Sequence, residues 1–152
     1  MKRNIVIAFF VATLAVLPAA AQDDFWTQLE AEAVEEWRWP AEQGDPAAQY
    51  NLGLAYMNGY GVMINLREAV KWYRRAADQG MMFAQSNLGR MYNNGFGVER
   101  DDVQAHLWFD LAADQGDPAS IANRDRIARR LSPAERAEAA RLADAWRAEH
   151  SH

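Results

Sequence analysis

The chain has 152 residues, 50% of them apolar and 11% aromatic, which suits one domain with a real core and excludes a disordered composition. Its net charge of −5 lacks the basic footprint that a nucleic-acid partner demands. The absence of cysteine removes disulfides, thiolate metal sites, a cysteine nucleophile and a lipid-modified cysteine.

The first 21 residues are unlike the rest. Lys2 and Arg3 give a positive start, Ile5 to Leu17 is an apolar run, Pro18 breaks it, and Ala19-Ala20-Ala21 supplies small residues. This order predicts a secretory signal peptide cleaved after about Ala21. A membrane anchor would need roughly 20 apolar residues and no small-residue exit site. Removal of residues 1–21 therefore leaves no stable membrane anchor and makes 22–152 the folding unit. The expected location is the periplasm of a bacterial envelope, or outside the cell.

Sliding the chain by 36 residues aligns Ala48–Gly80 with Ala84–Gly116, giving 17 identities in 33 positions without a gap, far beyond chance. Within each copy, Leu52, Gly53 and Tyr56 have helical spacing, and Ala69, Trp72, Tyr73 and Ala76 form an apolar stripe on a second helix. Between them, Asn58-Gly59-Tyr60-Gly61 recurs as Asn94-Gly95-Phe96-Gly97, a turn whose glycines take positive φ and end the first helix. Asp101 is placed to cap the helix that follows. Asp78-Gln79-Gly80 and Asp114-Gln115-Gly116 close the units. Gly53 and Gly89 let a neighbouring helix approach closely, and Ala76 and Ala112 leave room for Trp72 and Trp108. Neither helix can bury its stripe alone, so the units must stack.

The period fades on both sides. A helix from about Asp24 to Glu42, ended or kinked early by Pro40, reads as the second half of a degraded unit, with Trp37 in register with Tyr73 and Phe109. Asp117-Pro118-Ala119 repeats Asp45-Pro46-Ala47 and opens another first helix. Ser132-Pro133-Ala134-Glu135 has capping-box spacing before an amphipathic segment over 134–149 that carries Leu142 and Trp146. The chain thus divides into a signal peptide (1–21), an N-terminal capping helix and partial repeat (22–45), two full repeats (46–81 and 82–117), and a partial repeat with a C-terminal capping helix (118–152). About eight helices counting the caps, or slightly fewer, are expected, all α, in a short solenoid of antiparallel pairs.

The pattern A-x-x-x-L-G-x-x-Y-x-x-G-x-G-V, then A-x-x-W-Y/F-x-x-A-A-D-Q-G, resembles the Sel-1-like repeat, a relative of the tetratricopeptide repeat. The resemblance covers two full copies with partial copies beside them. It implies a right-handed superhelix and a role as adaptor or scaffold in protein complexes, in a family that includes secreted and periplasmic bacterial proteins. Some secreted members are cysteine-rich and linked to β-lactam binding or hydrolysis; this chain departs from them in having no cysteine.

Little points to catalysis. His106 replaces Val70 of the other copy and reads as a packed or surface histidine, and His150 and His152 lie in the tail. No serine sits in a nucleophile motif. Asp23-Asp24 and Asp101-Asp102 read as helix-start charges. Gly59-Tyr60-Gly61 lacks the lysine and hydroxyl residue of a phosphate loop. No cofactor or metal is implied.

A binding surface is the better candidate. First-helix positions that do not repeat are free of the packing rule: Tyr50, Leu54 and Met57 in one copy, Ser86, Arg90 and Asn93 in the other. Asn51, Asn87 and Asn123 recur at the 36-residue period, with Arg90 and Arg126 three residues after the last two. In the related tetratricopeptide family, an asparagine at this position can hold a peptide backbone or carboxylate with help from nearby basic residues. Asparagine offers both donor and acceptor, and arginine adds a charge-assisted fork. The same asparagines could instead bond neighbouring backbone and hold the fold.

The reading is an exported, non-enzymatic repeat protein that binds a protein or peptide. A β-lactamase-like or β-lactam-binding enzyme and a glycan-binding envelope protein are the alternatives. Six tryptophans could stack on sugars, although Trp72 and Trp108 are assigned to the core.

Overall fold

The computed structural model describes residues 18–150, and these form seven helices with no strand. They are α1 (Ala19–Glu42), α2 (Pro46–Asn58), α3 (Leu66–Asp78), α4 (Met82–Asn94), α5 (Asp102–Asp114), α6 (Pro118–Ala128) and α7 (Pro133–His150). Residues 1–17, most of the expected export signal, lie outside the described residues. Each helix from α1 to α5 packs on the next, and α7 turns back onto α5. The architecture is the expected all-α solenoid of antiparallel helix pairs, with seven helices among the described residues.

Two expectations about α1 need correction. It starts at Ala19 instead of near Asp24, with Pro18 in the extended backbone (φ −59°, ψ 149°) that precedes a first turn. Nor does Pro40 end it early: the proline removes the bond its N–H would have donated to the carbonyl four residues back, yet the chain stays helical to Glu42. The hydrogen bonds resume beyond it, Gln43 N donating to Trp39 O at 3.0 Å and Asp45 N to Pro40 O at 3.0 Å.

Capping residues set the other starts. Asp45 accepts from Ala48 N at 2.7 Å, Asn65 from Glu68 N at 3.2 Å, and Asp101 from Val103 N and Gln104 N at 2.9 Å. The expected capping box is formed: Ser132 N donates to Glu135 Oε2 at 2.8 Å, and Glu135 N to Ser132 Oγ at 3.3 Å.

The repeated glycines act by proximity. A Cβ at Gly53 would lie 2.5 Å from Tyr73 Cδ1, and one at Gly89 would lie 2.9 Å from Phe109 Cδ1. Second-helix rings thus lie flush against first-helix backbone, as the glycine positions implied. Both rings are fully buried, each removal from water contributing about 1.5–3 kcal/mol. The main cluster joins Tyr73, Leu88, Met91, Leu107, Trp108 and Leu111 to Ala143 of α7. Trp108 fills this core as expected, but Trp72 stays half-buried beneath the Arg75 guanidinium, 4.8 Å from its ring.

A buried polar relay joins the units. Gln49 Nε2 donates to Ala41 O of the preceding unit at 3.0 Å, while Gln79 Nε2 donates to Gln49 Oε1 at 2.8 Å. One unit later, Gln85 Nε2 donates to Ala77 O at 3.2 Å, and Gln115 Nε2 to Gln85 Oε1 at 2.8 Å and Gly80 O at 2.9 Å. The third copy breaks the pattern. Ile121 stands where the glutamine would be, and Arg124 and Asp125 replace the Leu-Gly pair of the earlier first helices. Arg124 instead meets Asp110 at 3.3 Å, and Arg147 of α7 meets Asp110 and Asp114 at 2.6 Å, so charges seal the C-terminal end.

Asp117 ties α6 to α4. Its carboxylate accepts from Ser120 N and from Ser86 Oγ at 3.0 Å, and Ser120 Oγ donates to Ser86 Oγ at 2.9 Å. Burial alone would raise the Asp117 pKa, but the hydrogen bonds from Ser120 and Ser86 outweigh it and hold the group below its ordinary 3.8. A folded pKa below the unfolded one gives stability that is present above 3.8 and lost as pH falls through the folded value. Asp117→Asn is therefore expected to lose less stability than the native chain between about pH 5 and pH 2, measured by urea unfolding. Equal losses would contradict this assignment.

Candidate functional site

Asn87 and Arg90 of α4 line a groove of about 270 Å³ whose other walls are Met57 and Asn58 at the end of α2, Leu66 opening α3, Met91 beneath, and Phe96 in the following turn. The repeat itself creates this groove. Phe96 projects from the glycine turn and remains 51% exposed, an apolar ring that the packing leaves at the surface. A Cβ at Gly97 would lie 2.3 Å from the Leu66 carbonyl, so the turn sits directly on the start of α3 and holds Phe96 beside Leu66.

Beneath the groove lies Tyr73. Its hydroxyl donates to Met57 Sδ at 3.7 Å. Burial drives the Tyr73 pKa up strongly, only partly countered by the Arg90 charge and a hydrogen bond with Asn87, so the phenol is neutral. Tyr50 packs between Tyr73 and Phe83, with centroid separations of 5.8 and 6.2 Å, and Leu54 packs half-buried on the same core.

Arg90 reaches Asn87 Oδ1 only at 3.5 Å and meets no carboxylate among the described residues. Arg126 bonds Asn123 Oδ1 at 2.7 Å and likewise has no carboxylate partner there. Neither Asn51 nor Asn87 bonds main chain through its side chain among the described residues. Tyr73 thus links Tyr50, Asn87 and Arg90. Asn51 and the Asn123–Arg126 pair share the register but do not line the groove.

Other non-repeating positions have internal partners: Ser86 in the Asp117 network and Asn93 accepting from Arg130 Nη2 at 2.8 Å. The sequence reading did not single out Leu66, Met91, Phe96 or Tyr73 as part of this site. The tyrosine-to-phenylalanine change at the turn was visible, but it gave no sign that the aromatic stays uncovered.

Among the described residues, no three metal-ligating side chains gather, and no helix is long and apolar enough to cross a membrane. His106 is half-buried; burial lowers its pKa, and its Nδ1 has no hydrogen-bond partner.

The family model of the Sel1 repeat matches residues 46–81 and 83–117. Among solved structures, the chain is similar to c5321, a protective antigen present in uropathogenic Escherichia coli strains that displays an SLR fold. Identity is 33% and the TM-score 0.78, over 98% of this chain and 34% of that one. It is also similar to a Sel1 repeat protein from Oxalobacter formigenes, with 38% identity and a TM-score of 0.60, over 62% of this chain and 39% of that one. The chain therefore spans little more than a third of the length of either neighbour. No curated protein matches it. Sel1 repeats commonly mediate protein–protein interactions. With two such repeats in tandem and the fold that accompanies them, the chain belongs to the Sel1-repeat family.

Proposed function

We propose that this chain is an exported, non-enzymatic adaptor that holds an extended, carboxylate-bearing peptide segment of a protein partner in the Asn87–Arg90 groove. One observation carries the reading: Arg90 lacks a carboxylate partner among the described residues and stands beside the Asn87 amide over apolar walls. Asn87 supplies a donor and an acceptor for peptide main chain, Arg90 pairs with the carboxylate, and Phe96, Leu66 and Met57 take an apolar side chain. Met57 and Leu66 come from one unit and Asn87, Arg90 and Phe96 from the next, so a bound peptide would bridge the repeats.

The test is fluorescence anisotropy with a library of short labelled peptides, each made with a free and an amidated C-terminus and with or without internal acidic residues. Asn87→Ala and Arg90→Ala are each expected to weaken the best binder about tenfold or more. Circular dichroism should remain native. Unchanged affinity in both variants would remove the groove from the account.

Export is the second part of the proposal and rests on residues 1–21. The full chain expressed in a bacterium should appear in the periplasmic fraction or the medium with a mass beginning near Gln22. An uncleaved chain in the cytoplasm would refute it.

A further inference from the structure

The C-terminal helix closes a second cleft, on a different part of the molecule from the Asn87–Arg90 groove. It measures about 290 Å³, at the small end of ligand sites, and lies between α3, α5 and α7. Arg74 and Asp78 come from α3, Leu107 and Trp108 from α5, and Leu142, Trp146 and a second carboxylate, Glu149, from α7.

Three features of its wall are not explained by packing. Trp108 is 1% exposed, yet among the described residues its Nε1–H meets no acceptor, and the buried Nε1–H of Trp146 meets none there either. Unpaired buried donors are rare and costly, and two in one cleft suggest an acceptor from outside the chain. Arg74 is the third feature. It occupies the register position of Asp110, which binds Arg124 and Arg147, but Arg74 has no ion pair among the described residues. Its guanidinium lies 4.8 Å from the Trp108 ring centroid and donates to the Tyr92 hydroxyl, which fixes its plane while leaving other N–H donors free. At the rim, Asp78 also lacks an ion pair there. Leu107 and Leu142 supply apolar wall.

We propose that this cleft binds an α-amino carboxylate with an apolar side chain, either a free amino acid or the end of a short peptide. The carboxylate takes the Arg74 guanidinium and the indole N–H donors, the ammonium faces Asp78 and Glu149, and the side chain packs on Leu107 and Leu142. An anion without an amine would meet the Asp78 and Glu149 charges uncompensated. A cation without a carboxylate would leave Arg74 and both indoles unpaired. The zwitterion satisfies both ends.

The experiment is isothermal titration of the full chain with L-leucine, leucyl-leucine, N-acetyl-leucine and leucinamide, with tryptophan emission followed in parallel. Leucine or leucyl-leucine is expected to bind and shift the emission, and the acetylated and amidated forms to bind about tenfold more weakly or worse. Leucine alone binding would identify the free amino acid, and the dipeptide alone a peptide end; either supports the cleft. Arg74→Gln should weaken binding by a similar factor. So should Trp146→Phe, which keeps an aromatic ring and removes the N–H, and which remains informative if Arg74→Gln fails to fold. No binding of either zwitterion at millimolar concentration would overturn the proposal, and so would binding that neither variant weakens. The peptide groove is untouched by either result, since Asn87 and Arg90 do not line this cleft.

Discussion

Gly97→Ala is expected to destabilise the chain by about 2–5 kcal/mol, whereas Gly116→Ala should lose only about 1 kcal/mol. Both glycines have positive φ, +68° and +90°, so both substitutions meet the same conformational penalty. Only their surroundings differ. A Cβ at Gly116 meets nothing within 4 Å, while one at Gly97 would lie 2.3 Å from the carbonyl of Leu66 and 2.8 Å from Arg67 N. Those are backbone atoms of a helix start, which cannot swing aside as a side chain would. The turn must lift from α3, carrying Phe96 out of the groove. Thermal unfolding should show Gly97→Ala falling by roughly 5–15 °C and Gly116→Ala by a few degrees. Equal shifts would mean that φ alone constrains these glycines. Peptide affinity should fall with Gly97→Ala even below its melting range, because the groove loses its Phe96 wall.

The second large effect belongs to the glutamine relay. Gln85→Ala should cost about 2–4 kcal/mol, combining the lost hydrogen bonds to Ala77 O and from Gln115 Nε2 with a cavity. Gln85 is fully buried, and its amide is the link between one unit's first helix and the end of the previous unit. Gln115→Ala should cost about 1 kcal/mol, since Gln115 is exposed. Urea unfolding measures both. In native-state hydrogen exchange, Gln85→Ala should lower protection where α3 meets α4 more than within α6. A Gln85→Ala chain within about 0.5 kcal/mol of native would show the relay to be incidental.

The contrast between these two effects marks what the sequence could reveal. Glycine has one main structural meaning, so Gly53, Gly89 and the turn glycines were readable as close approaches and turns before any coordinates. The Asp101 cap and the Ser132–Glu135 box were readable for the same reason, since their chemistry is local. Gln49 and Gln85 were visible as repeated letters, but a glutamine in a helix is usually solvated, and only the packing of units buries it. The fate of α7 was also hidden. Leu142 and Trp146 announce an apolar stripe without naming its partner, and it is Asp110 and Asp114, at positions that carry Arg74 and Asp78 one unit earlier, that draw Arg147 onto α5.

The binding groove was half legible. Periodicity picked out Asn87 and Arg90 because they sit at first-helix positions with a recurring asparagine. It also picked out Asn51, Asn123 and Arg126, which repeat the register without the walls. Those walls come from segments whose sequence advertises other duties: Phe96 from a turn, Leu66 from a helix start, and Tyr73 from the core. A period identifies equivalent positions along a solenoid. It does not say at which of them neighbouring units leave a space.

The most direct test of the groove is site-specific photocrosslinking in the cells that make the protein. A photoreactive residue would replace Phe96 in the groove, with a second chain carrying it at Glu138, an exposed position on α7, as control. The account predicts a discrete adduct in the envelope fraction from position 96, absent from position 138 and lost when Arg90→Ala is added to a folded chain. The same adduct from both positions, or a groove adduct that survives Arg90→Ala unchanged, would contradict it.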